Sequence, residues 1–462
     1  MAGPLTEFYA DNPVEVLDKN KRVWYDPDVL ALFRDRSLFA GLITYARNLG
    51  DVRATSMVVT QLLEPHANYN ALATRQLWLP SMHIDSQEVE ITFQHHGGKV
   101  AMHEYDELVT YWQTDGVQGL RTILNRVLGI NIVDVHDFLA RNAMIQGALE
   151  TTGYTYYAGA ATDFGDIDEV NDRFTPDIAT AIQLGMKYRE VAGALNPDGS
   201  AGAVVCYTTP GVIFDLQSDE DWVEVAKYGD PSRLFRYEVG SYKNVRFVES
   251  PRLVLWNCGV VEFQDTLSAA RHAGDGSPNA GRSEDRVDGV YSVGQTSAGI
   301  VSNLQLSGSP ITGDLATNVQ VNDIITIHLS RTSAFGVTNG VHPFDGTLHN
   351  RRVVDVDGAT DQIMLDKPIM LDFATDLGSG VFGYVTKGFN VHSSIFVGAP
   401  QAIVSGVAAP IRLHTPPPID DLESIYRFSW NDRMGHQPYN PEVMEVCFSA
   451  GSVRIKGTGV TF

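Results

Sequence analysis

His95 and His96 stand side by side, followed by Gly97, Gly98 and Lys99, and two adjacent imidazoles raise the question of a metal pair. Adjacent residues of an extended chain point to opposite faces, so the pair suits a polar hairpin tip better than a shared metal ion. Asp163, Asp166, Asp168 and Glu169 space oxygen ligands as a calcium loop does. The stretch lacks that loop's glycine and terminal bidentate glutamate, and fits a solvated loop. No G-x-S-x-G elbow, Walker A loop, H-E-x-x-H helix or dinucleotide fingerprint occurs. GDGSPNAG is glycine-rich but precedes no helix, which argues against a phosphate loop. Trp222, Trp256 and Trp430 are far apart, as core tryptophans are, rather than grouped to stack on a sugar. The cysteines, Cys206, Cys258 and Cys447, are odd in number and lie in apolar contexts such as VVCY and EVCF, which points to buried reduced thiols. The residues therefore offer no catalytic set, no cofactor site and no metal site.

The elements that carry these residues are those of a globular chain. At 462 residues there is room for two or three domains, since single cores rarely exceed about 250 to 300 residues. With 44% hydrophobic and 19% charged residues, a packed core is expected. The start, MAGPLTEFYADNPVEV, lacks the basic and apolar regions of a secretory signal, and no apolar run is long enough to span a bilayer, so synthesis in a cytosol and no membrane partner are expected. The formal charge is −22, from 34 Lys plus Arg against 56 Asp plus Glu. A sequence-specific DNA reader needs a basic face, and no basic run of that kind is present.

Along the chain, residues 26 to 35 and 37 to 48 read as short helices, the first opened by Asp26 and Pro27, and residues 54 to 63 as a buried strand. Val89, Ile91 and Phe93 alternate with Glu90, Thr92 and Gln94, and a second run continues through Val100 and Met102. That pattern predicts a hairpin turned at Gly97-Gly98, an extended arm that buries little in its own subunit and lies on a neighbour. Residues 116 to 150 are the most helical segment, a rod of about 50 Å if Gly129 does not break it. Residues 177 to 195 predict a second helix, with Thr175 as its cap and Pro176 near its start. Strands are expected at 203 to 209 and 244 to 257, a helix at 219 to 228, and an exposed linker from about 265. Between about 287 and 386, short strands at 324 to 330, 351 to 357, 362 to 369 and 381 to 387 are separated by turn signals such as Asn339-Gly340 and Asp357-Gly358, and predict a small all-β module. A terminal strand pair turned at Ala450-Gly451 closes the chain.

Three stretches, in this order of elements, resemble a known family. They are residues 128 to 148 (LGINIVDVHDFLARNAMIQGA), residues 237 to 251 (YEVGSYKNVRFVESP) after the helix DEDWVEVAKYGD, and residues 416 to 421 (PPPIDD) leading to EVMEVCFSAG. Together they are similar to the tailed-phage major capsid proteins of Hong-Kong-97-like fold, and more specifically to those of N-four-like phages. The resemblance covers most of residues 50 to 260 and 388 to 462, and the module at about 287 to 386 departs from it.

The resemblance implies an α+β fold: an N-terminal arm and first peripheral segment at 1–66, an extended hairpin at 67–112, and a spine helix with peripheral domain at 113–175. An axial domain would follow at 176–265, a linker and inserted barrel-like β module at 266–387, and the completion of both domains at 388–462. It implies homo-oligomers, hexamers and pentamers of an icosahedral shell, with His95, His96, Gly97, Gly98 and Lys99 as assembly contacts and no cofactor. A separate scaffolding protein, a portal, possibly a decoration protein, and packaged double-stranded DNA touched non-specifically on the inner face would be the other partners. The lack of a long charged helical prefix points to separate scaffolding and an untrimmed chain. The acidity suits a wall that must not adhere to DNA, and simple solubility accounts for it equally well. Some members of this fold join a hairpin lysine to a neighbour's asparagine, and Lys99 has about the right place; the plainer expectation is an exposed cation meeting a neighbour's carboxylate. Two other classes stay open: a polysaccharide-cleaving enzyme with paired carboxylates in 287 to 386, and a tail or decoration protein.

Overall fold

The computed structural model describes residues 23–24, 38–39, 43–48, 54–62, 86–103, 120–150, 153–189, 191, 204–219, 238–242, 245–268, 299–329, 331–332, 339–344, 348–371, 381–398, 402–414 and 425–452. The elements used below, in chain order, begin with strands β1 (Ile43–Asn48), β2 (Ser56–Leu62), β3 (Ser86–Thr92) and β4 (Gln94–His103) and helix α1 (Leu120–Glu150). Then come β5 (Thr155–Tyr157), α2 (Pro176–Tyr188), β6 (Val204–Thr208), α3 (Pro210–Gln217), β7 (Glu238–Tyr242) and β8 (Val245–Glu249). The later strands are β9 (Val261–Ser268), β10 (Gly299–Gln305), β11 (Ile324–His328), β12 (His349–Asp357), β13 (Gln362–Leu371), β14 (Val381–Gly388), β15 (Val391–Val397), β16 (Ile403–His414), β17 (Ile425–Pro438) and β18 (Met444–Ser449). The mixed content is that of an α+β chain. Among the described residues no helix is long and apolar enough to cross a membrane.

The chain divides into two compact units, one built from residues 17–152 and 399–444 and the other from 1–16, 153–398 and 445–462. In the first, β17 pairs antiparallel with both β16 and β4, and β1 runs parallel to β16. Helix α1 is continuous for 31 residues, about 46 Å, and Gly129 does not interrupt it. Its Leu128 and Ile132 pack on Phe428 and Trp430 of β17, with Val135, Ile411 and Leu413 at the margin. A separate antiparallel pair, β2 with β3, is rooted in the sheet by Met57, Val89, Ile91 and Phe93, which pack on Val404 and Ala408.

In the second unit a mixed sheet runs β5-β18-β15-β6-β8-β7. Helix α2 lays Ile178, Ala179, Ile182 and Met186 on it, against Val204, Cys206, Phe247, Phe396 and Cys447. The expected helix after Thr175 is present, with Pro176 in its first turn, although the Thr175 side chain makes no cap bond. The same unit holds an all-antiparallel six-stranded sheet, β9-β14-β11-β12-β13-β10, and the bridge Leu267↔Leu306 ties β9, at one end of that order, to the residue following β10 at the other. Phe263, Leu304, Ile325, Ile327, Val353, Ile363 and Val385 fill its core. The turn signals act as expected: Asn339 has φ 59°, and Asp357 caps its turn by accepting from Ala359 N at 2.9 Å and Thr360 Oγ1 at 2.6 Å.

Several expectations are corrected. Residues 43 to 48, expected to be helical, form β1, because β-branched Ile43 and Thr44 and Tyr45 suit a strand and β16 supplies the ladder. The linker expected from about 265 begins later, since β9 extends to Ser268. Residues 251 to 255 are a short 3-10 turn, Pro251–Leu253, and a two-residue strand rather than a continuation of β8. Helix α3 was not expected, although Thr209 accepts from Val212 N at its cap and Pro210 opens it. Ala450 makes a parallel bridge to Arg173 instead of entering a turn. The expected helices at 26 to 35 and 219 to 228 lie outside the described residues, apart from Asp219, as does the strand expected to follow Gly451, apart from Ser452.

Candidate functional site

The segment from His95 to Lys99 is the middle of a strand. From Gln94 to His103, β4 pairs residue for residue with β17, with Gly97 opposite Asn431 and Gly98 opposite Trp430. Strands β3 and β4 do not form a hairpin with each other; β3 pairs with β2 and β4 with β17, and the chain changes partner at Phe93. The left-handed glycines among the described residues are Gly153, Gly159, Gly308 and Gly313, so Gly97 and Gly98 supply no turn. They serve close approach instead. A Cβ on Gly97 would lie 2.8 Å from the Trp430 carbonyl oxygen, and one on Gly98 would lie 2.9 Å from the Trp430 indole nitrogen and 3.3 Å from Asn131 Oδ1. The arm expected to bury little in its own chain is thus a ladder strand against β17, which corrects the predicted tip geometry.

The pleat then sorts the five residues. His95, Gly97 and Lys99 are exposed on one face, while His96 and Gly98 are half-buried on the other, toward α1. The opposition of His95 and His96 expected from their adjacency is what the strand produces.

On the inner face, His96 meets residues that no local spacing in the sequence connects to it. Its Nδ1 is 3.2 Å from Asp432 Oδ1, the cross-strand partner on β17, and His136 Nε2 of α1 is 2.5 Å from Asp432 Oδ2. Asp432 is buried, with no side-chain exposure. Burial raises its carboxyl pKa, but the hydrogen bonds and charge of His136 and His96 outweigh that and leave it below the ordinary carboxylate range. A third imidazole, His436, stands with its ring centroid 6.2 Å from that of His136. Beside them the Trp430 indole donates to Asn131 Oδ1 at 3.1 Å. These contacts hold a helix on a sheet. Among the described residues no group of three or more His, Cys, Asp or Glu is arranged to hold a metal ion.

The other chemically capable residues have structural partners. Asp166 accepts from Thr162, Asp168 accepts from Val170 N and Asn171, and Asp172, which sequence reasoning passed over, accepts from Ala160 N at 3.2 Å and Asp168 N at 2.9 Å. All three cysteines are buried thiols, and burial raises those of Cys206 and Cys447. Trp430 is a core residue, Trp256 is partly buried, and Trp222 lies outside the described residues. In the β module, Lys387 joins Asp323 Oδ2 at 2.9 Å and Glu262 Oε2 at 3.3 Å, so two of the module's carboxylates are held in an ion triad.

No protein-family model matches the chain, and no curated protein matches it. Solved structures do. The capsid of Ralstonia phage GP4 matches with a TM-score of 0.48 at 10% identity, over 97% of this chain and 98% of that one. The capsid of Cyanophage P-SCSP1u matches with a TM-score of 0.45 at 10% identity, over 98% and 96%. The capsid of Cyanophage Pam1 matches with a TM-score of 0.45 at 11% identity, over 95% and 98%. Likenesses at that level carry no weight on function, which rests on the chain's own residues and geometry.

Proposed function

We propose that this chain is the major coat subunit of a tailed double-stranded DNA phage, a virion protein that assembles into the hexamers and pentamers of an icosahedral shell. The observation that carries the reading is the order in which the elements occur. An antiparallel pair (β2 with β3) precedes a 31-residue helix, an α/β sheet follows, and that sheet takes β18 from the end of the chain, parallel to β5. This is the order that the three resembling stretches of sequence imply.

In this reading α1 is the spine and the unit holding it is the peripheral domain. The sheet carrying α2 and α3 is the axial domain, and the sheet of β9 to β14 is an inserted barrel-like module. The extended hairpin is β2 with β3, earlier in the chain than the predicted tip. His95, Gly97 and Lys99 keep their proposed role as contacts to a neighbouring subunit, now from the outer face of a strand, while His96 and Gly98 face inward. A subunit of this kind contributes rigid area through the helix-backed sheet, and surface to its neighbours through extended strands. Its stability then belongs partly to the lattice. Separate scaffolding, a portal, possibly a decoration protein, and DNA touched non-specifically on the inner face complete the proposal, which gives the chain a structural and not a catalytic role.

Electron microscopy of the purified protein, alone and co-expressed with its genomic neighbours, tests it. Rings of five and six or closed shells are expected.

A further inference from the structure

The imidazoles around Asp432 form a group in which the carboxylate has no unengaged oxygen to offer a third ring. Both carboxylate oxygens are engaged, Oδ1 by His96 and Oδ2 by His136. His436 shares the Asp432 face of β17, four residues on, and both of its ring nitrogens are shut off from solvent without a hydrogen-bond partner. The charged and titratable groups facing it are His136 from α1, His96 from β4 and Asp432 from its own strand, and β16 offers uncharged Ser405 opposite it in the ladder.

We propose that His96, His136, His436 and Asp432 form an acid-operated latch between α1 and the sheet, closed while His436 is neutral and opened when it takes a proton. A charged His436 would sit in a desolvated seam beside a carboxylate already shared by two imidazoles and next to two rings competing for the same charge. Releasing α1 from β17 admits water and relieves that charge. Burial foremost, with the charge of His136 and His96 adding and Asp432 opposing, pushes the His436 pKa down to about 4 from 6.5. The released form, where His436 titrates normally, therefore gains about tenfold over the closed form for each pH unit below the ordinary histidine value, until the closed form titrates as well. The latch does not depend on the coat-subunit reading.

Hydrogen exchange on the full chain reads it directly. In the wild type, amides of residues 128 to 145 should lose protection as pH falls from 6.5 toward 4, by about tenfold per unit after correction for intrinsic rates. In His436→Gln that loss should be nearly absent, while His392→Gln, which removes a buried histidine of the other unit, should leave the wild-type response unchanged. An identical response in wild type and His436→Gln overturns the latch. Should His436→Gln fail to fold, hydroxyl-radical labelling of the wild type decides: joint oxidation of Trp430 and His436 below the transition is expected, and a Trp430 that stays protected at pH 4 overturns it.

Discussion

The Trp430 indole donates to Asn131 Oδ1 at 3.1 Å, and this bond, between β17 and α1, ties the 31-residue helix to its sheet. Trp430 is 2% exposed and fills the seam with Leu128, Ile132 and Phe428. Removing the acceptor, Asn131→Ala, should cost about 1 kcal/mol, the net worth of one such bond, whereas Trp430→Ala should cost about 3 to 5 kcal/mol through the cavity it leaves. Denaturant unfolding of the two variants checks the ratio.

Gly98 is required by that bond. Gly98→Ala would press a methyl against both the indole nitrogen and Asn131 Oδ1, and should destabilise by about 1 to 3 kcal/mol with a displacement of Trp430 emission. Lys99→Ala, on the opposite face of the same strand, should leave unfolding within about 0.5 kcal/mol and lower the yield of assembled particles instead. Thermal melts alongside particle counts separate the two effects.

His392 gives the second unit its own pH response. Its Nδ1 lies 2.6 Å from Thr209 Oγ1, and its Nε2 is buried without a partner. Burial foremost pushes its pKa down to about 4 from 6.5, against Asp215 and the Gly451 backbone. Because the folded value is depressed, the unfolded chain takes the proton first. Stability is whole above about pH 6.5, falls as pH drops toward 4, and levels off below, a loss of about 3 kcal/mol. His392→Gln should flatten that slope in unfolding measured from pH 7 to 4.

The thiols should be silent in the native state. Cys206 and Cys447 are buried in one core, with burial raising both, and Cys258 is buried too. Iodoacetamide at neutral pH should label none of the three until denaturant unfolds the chain, as intact mass would show.

What the sequence made legible was local. The helical character of residues 116 to 150 announced α1, Thr175-Pro176 announced α2, and Asn339-Gly340 and Asp357-Gly358 announced turns, because each signal lies within a few residues of its effect. Gly97-Gly98 misled because glycine serves both tight turns and close approach, and only the position of Trp430, more than three hundred residues away, decides which. Residues 43 to 48 misled because a helical spacing gave way to a ladder offered by β16. The histidine cluster had no local signal: His136 looked like one more residue of an amphipathic helix, and Asp432 and His436 lie in a strand that no pattern joined to it. His96 was noticed for its neighbour His95, which points the other way.

The most direct test of the central claim is negative-stain microscopy of the purified full chain, with and without its genomic neighbours. The coat-subunit account predicts five- and six-membered rings or closed shells in at least one condition. A population of uniform monomers in both would contradict it.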